Sequence, residues 1–96
     1  MKSFTYDELK DYVEKEINIP NNPRVVLCHN RINKENILKF IIANEDIRFF
    51  RPWRGYAEVI SKGDYISTVP HDIYSVKSYV FNECYVKIPS DTIKEP

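Results

Sequence analysis

Ninety-six residues, 43% of them hydrophobic and twelve of them Phe or Tyr, are enough for one core and leave little over. Two glycines exclude a flexible low-complexity chain, and no apolar run reaches membrane-spanning length. Fourteen acidic and fourteen basic residues cancel, so the whole-molecule field does not favour sequence-independent binding to nucleic acid.

The chain is charged from Lys2 and lacks the apolar stretch of a signal peptide. Its two cysteines are expected to be reduced, buried thiols of a cytoplasmic protein. Thr5 and Glu8 form a T-x-x-E capping box, each side chain satisfying a backbone N–H at a helix start. Phe4 and Leu9 have the spacing of a hydrophobic staple. Leu9, Val13 and Ile17 then repeat every four residues, flanked by Tyr6 and Tyr12, and Asn18 and Pro20 stop the helix. The segment 24–29, RVVLCH, carries four consecutive apolar residues and predicts a central strand buried on both faces. Asn33 is the expected N-cap of a second helix, with Ile32 and Ile37 as its staple and Ile37, Phe40 and Ile41 on one face.

Residues 47–51, β-branched and aromatic, predict a strand ended by Pro52. A loop at Trp53-Arg54-Gly55 leads to two short strands, 56–61 and 65–69. Lys62-Gly63-Asp64 joins them with the spacing of a hairpin. Pro70-His71-Asp72 is a predicted turn, 73–76 a short extended piece, 78–83 a short helix and 84–88 the last strand, with 89–96 a loosely ordered tail. The expectation is a single α+β domain spanning 1–96. Its elements run α-β-α-β-β-β-β-α-β, a mainly antiparallel sheet with two covering helices and a short C-terminal helix.

The Gly63-Asp64-Tyr65 turn is followed by Ile66, then Tyr74, Val76 and Lys77, then Phe81 and Tyr85. In residues and in order of elements this resembles small phage and prophage proteins of the PGDYG type. The likeness covers roughly the last two-thirds of the chain and leaves out the first helix. Lys62 stands where that pattern has proline, and Ile66 where it has glycine. The resemblance implies a phage or mobile-element origin and the cytoplasm of a bacterial host. It implies no catalytic residues.

Metal and catalytic readings find little support. Cys28, His29, His71 and Cys84 lack zinc-ligand spacing, and adjacent residues of a strand point to opposite faces. A Cys84–His71 nucleophile pair is disfavoured because Cys84 opens an apolar strand. Asp64 after Gly63 reads as turn chemistry, its short carboxylate bonding nearby amides. No phosphate loop, dinucleotide fingerprint or nucleophile elbow is present, so neither a cofactor, a metal nor a catalytic residue is assigned.

The distinctive stretch is 48–56, RFFRPWRGY, where three arginines interleave with four aromatic residues. Strand alternation puts Arg48 and Phe50 on one face and Phe49 and Arg51 on the other, so one Phe is a core residue. Trp, Tyr and Arg are the residues that anchor interfaces. They also stack on bases and grip phosphates. Arg48, Arg51, Trp53, Arg54 and Tyr56 are the expected partner-binding residues. The favoured function is non-catalytic: binding and inhibiting a host protein, part of an anti-phage defence system such as a CRISPR nuclease. The alternative is a nucleotide- or nucleic-acid-binding module using the same segment. Asp7, Asp11 and Glu14 recur at helical spacing on the first helix and read as a solvated face. A nucleic-acid mimic would need a strong negative charge, which this chain lacks.

Overall fold

The computed structural model describes residues 1–69 and 72–89. Pro70 and His71 of the expected turn, and 90–96 of the expected tail, lie outside the described residues. The fold is α+β, with two helices and eight strands: β1 Lys2–Thr5, α1 Tyr6–Ile17, β2 Val25–Asn30, β3 Ile37–Ile42, β4 Ile47–Phe50, β5 Ala57–Ile60, β6 Tyr65–Ser67, β7 Ser75–Val76, α2 Ser78–Cys84 and β8 Tyr85–Ile88. The strands form two sheets, one ordered β1-β4-β5 and the other β7-β6-β3-β2-β8. Pairing is antiparallel except for β1 with β4, which run parallel.

The first helix forms as its sequence dictates. Glu8 N–H donates to Thr5 Oγ1 at 3.1 Å, and Thr5 N–H donates to Glu8 Oε1 at 2.9 Å. Leu9 and Val13 are buried and Ile17 is half-buried against the same core. The C-terminal end is tied to the larger sheet by a Glu16–Arg24 ion pair; Arg24 also donates to the Ile42 carbonyl at 3.1 Å. Before the cap, Lys2–Thr5 is recruited as β1. Phe4 lies opposite Phe49 and its ring meets Tyr12 at 5.6 Å.

The segment expected as a second helix is instead β3, the middle strand of the larger sheet, paired with β2 on one side and β6 on the other. ILKFII is a strand-length run, too short to hold a helix without caps. Asn33 does accept a backbone N–H, but from Glu35 at 3.3 Å, and Asn30 accepts from Ile32 at 2.8 Å. The chemistry that caps helices here closes side-chain turns at a hairpin tip. Ile32, the expected staple, is 94% exposed there. The expected central strand, β2, is second from the edge and mostly half-buried, with Cys28 its fully buried residue.

The expected hairpin at Lys62-Gly63-Asp64 is a corner. β5 pairs with β4 in the small sheet, and β6 pairs with β3 and β7 in the large one. Gly63 takes φ 93°, which a side chain would oppose. Its N–H donates to Ala43 O at 2.9 Å, and Ala43 N–H donates to Asp64 O at 2.8 Å. Both sheets are thus bolted together where the chain crosses between them.

Two cores result. One face of the large sheet, through Ile41 and Ile66, packs with Leu9 and Val13 of α1 and with Ile47, Phe49 and Ile60 of the small sheet. The other face, through Cys28, Phe40 and Tyr65, packs under Phe81 of α2. Cys28 is fully buried, which pushes its thiol up to about 11. Cys84 departs from expectation: it is the exposed last residue of α2, because strand pairing begins one residue later, at Tyr85 opposite Asn30.

Candidate functional site

Apart from Ile66, which belongs to the first core, the residues behind the Gly-Asp-aromatic resemblance meet in the second core and its border. Asp64 is buried. Its Oδ2 accepts from Ser61 N–H at 2.9 Å and from Lys77 Nζ at 2.9 Å, and its Oδ1 accepts from Ser78 N–H at 3.2 Å. Burial pushes this carboxyl up, but the bonds from Lys77, Ser61 and Ser78 outweigh it and hold it below the usual carboxylate range. Tyr65 stacks on Phe81 with centroids 3.7 Å apart, Phe81 stacks on Tyr85 at 5.1 Å, and Phe40 meets Phe81 edge-on at 5.6 Å. Every polar and aromatic group of this motif is therefore spent on packing α2 and the corner against the sheet. Asp64 does more than close its own turn at Ser61: it also anchors the start of α2 through Lys77 and Ser78, with β6 and β7 between them in the chain.

The stretch 48–56 behaves differently. Alternation in β4 sends Ile47 and Phe49 inward and Arg48 and Phe50 outward. Cross-strand register places Ser3, Arg48 and Val59 in one outward row and Thr5, Phe50 and Ala57 in the next. Beyond β4, Arg54 N–H donates to Arg51 O at 2.9 Å and Gly55 takes φ 75°, closing the loop into β5. Phe50, Trp53, Tyr56 and Val59 are 44%, 66%, 54% and 45% exposed, four large apolar side chains within ten residues. No comparable cluster of exposed rings occurs elsewhere among the described residues; Tyr79 on α2 stands apart.

The five expected binding residues split. Arg48, Trp53, Arg54 and Tyr56 are exposed. Arg54 donates to the Tyr56 hydroxyl at 3.2 Å, and Trp53 rests edge-on against Tyr6 with centroids 5.0 Å apart. Arg51 is buried, paired through two nitrogens with Glu58 and lying 5.6 Å from the Phe49 ring centroid. Its hydrogen bonds to Glu58 hold the guanidinium charged against the cost of burial. Arg51 is thus a brace under the loop, with its fork turned away from any partner. Phe50 and Val59 join the surface without having been singled out. The alternation that paired Phe50 with Arg48 already marked it as outward once Phe49 was the core ring; Val59 required the β4–β5 register.

Among the described residues there is no cluster of three or more His, Cys, Asp and Glu able to hold a metal, and no helix is long and apolar enough to cross a membrane. His71 of the proposed pairs lies outside the described residues. Cys28 and His29 sit on opposite faces of β2, as the strand argument required. A shallow hollow of about 240 Å³ lies on the outward face, between Ser3, Arg48, Phe50 and Ala57. A larger open groove of about 540 Å³ runs from Ile17 and Ile19 to Leu27 and Ile88. No family model, curated protein or solved structure matches the chain.

Proposed function

We propose that this is a non-catalytic docking protein of phage or prophage origin that binds and inhibits a host protein, the target being part of an anti-phage defence system such as a CRISPR nuclease. The observation that carries the docking reading is the exposure of Phe50, Val59 and Arg48 on the outward face of β1-β4-β5, together with that of Trp53, Arg54 and Tyr56 in the loop joining β4 to β5. Exposed apolar clusters with aromatic and arginine members are the composition of interface centres. Covering the exposed part of Phe50 or Val59 returns at most about 1.5–3 kcal/mol each, enough for a few such residues to hold a complex. The origin and the host target rest on the resemblance of 63–85 alone.

The nucleic-acid reading has less behind it. Arg51 is spent on Glu58, which leaves Arg48 and Arg54 as the cations of the segment not engaged with an acid.

The test is positional crosslinking in lysate of a bacterial host. A photoreactive phenylalanine analogue is placed at Phe50 in one sample and at Tyr79 in another. One dominant adduct from position 50, absent from 79, is expected. Equal labelling from both positions removes the assignment of this face.

A further inference from the structure

The chemistry of the face also selects its occupant. Of its six outward strand positions, Arg48 is the one charged residue; Ser3, Thr5, Phe50, Ala57 and Val59 surround it. Three neighbouring acids are engaged: Glu58 points inward to Arg51, Glu45 pairs with Lys2 at 3.4 Å, and Glu8 accepts from Thr5 N–H at 2.9 Å. At the loop, Arg54 is 3.2 Å from the Tyr56 hydroxyl and makes no ion pair among the described residues. The outward strand positions are therefore uncharged around Arg48, with Arg54 on the adjoining loop, and a hollow of about 240 Å³ lies among Ser3, Arg48, Phe50 and Ala57.

Resting on the docking reading above, we infer that the outward face of β1-β4-β5 receives an acidic segment of a partner protein, an apolar side chain seated in the hollow beside Phe50 and Ala57 and carboxylates placed against Arg48 and Arg54. A second copy of this chain is the poorer fit. In a two-fold interface the face meets itself, and its outward strand positions offer Arg48 and no carboxylate to set against it. The Arg51–Glu58 pair and the Trp53–Tyr6 contact fix the loop before the partner arrives, so little ordering cost falls on binding. Arg51 serves this surface as a positioning residue.

The probe is a short synthetic peptide with one aromatic residue flanked by glutamates, compared with the same peptide carrying lysines in their place. Backbone amide resonances of the full chain are followed during titration. The glutamate peptide is expected to move Ser3, Arg48, Phe50, Ala57 and Val59, and the lysine peptide is not. Arg48→Glu with Arg54→Glu should reverse that preference, by about tenfold or more in affinity, because like charges then face each other. If both peptides move the face equally, the docking surface stands and its acidic occupant is wrong. If neither moves it, the acidic occupant is wrong, and the docking reading is decided separately by the crosslink from position 50. If a single-stranded oligonucleotide moves the face and the glutamate peptide does not, the occupant is nucleic acid and the inference is overturned. Arg51→Met keeps the stem and removes the fork. It should weaken the glutamate peptide and broaden the loop resonances 52–56 in the free protein; an unchanged loop contradicts the positioning role.

Discussion

Two groups of aromatic residues sit at opposite ends of this molecule's economy of contacts. Tyr65, Phe81 and Tyr85 stack in sequence under Phe40, and the polar groups beside them close on one another through Asp64, Lys77 and Ser78. Phe50, Trp53 and Tyr56 are exposed, and beside them Arg54 donates to the Tyr56 hydroxyl and Arg48 makes no ion pair among the described residues. Composition alone does not separate the two groups, since both mix rings with charge. What separates them is whether each ring and each charge has a partner inside the fold. The first group explains why the chain folds as it does, and the second forms the surface proposed to bind a partner.

Substitutions sharpen the contrast. Phe81→Ala removes the ring shared by three aromatic contacts and should cost about 3–5 kcal/mol in denaturant unfolding. A loss below about 1 kcal/mol would mean that the second core is not cooperative with the first. Asp64→Asn breaks the ion pair to Lys77 and should cost about 1–3 kcal/mol at neutral pH. The folded carboxyl lies below its unfolded value, so its contribution is complete above the ordinary carboxylate range and is lost as pH falls through the folded value. The gap between wild type and Asp64→Asn should therefore close on acidification; a gap that is constant with pH contradicts the assignment. Phe50→Ala should change stability by no more than about 0.5 kcal/mol, as expected for a side chain already in water. The thiols give the mildest test. Cys84 should react promptly with a thiol reagent in the native protein, while Cys28 waits for unfolding. Prompt reaction of both would place Cys28 at the surface.

What the sequence reveals follows from how local each signal is. The α+β class, the capped first helix, the short α2 and the placing of Arg48 and Phe50 on one face are set within a few residues and could be read directly; which face is outward could not. Residues 33–42 could not, because asparagine turns and helix caps use the same hydrogen bonds, and the pairing of β3 with β2 and β6 decides between them. Gly63-Asp64 signalled a reversal of the chain, but whether the strands on either side pair or part is set by β3 and β4. Arg51 read as a surface residue because its partner, Glu58, lies on the next strand. Val59 entered the candidate surface for the same reason. Cys84 shows the sensitivity to a boundary: one residue's shift between strand and helix turns a buried thiol into an exposed one.

The central claim is that the outward face of β1-β4-β5 and its loop bind a partner without holding the fold together. Phe50→Ala combined with Trp53→Ala tests it most directly, with the melting temperature and the affinity for the crosslinked partner measured on the same preparation. The melting temperature should stay close to that of the wild type, and affinity should fall by at least about 2 kcal/mol, roughly thirtyfold. A variant that unfolds, or one that is stable and binds undiminished, contradicts the claim.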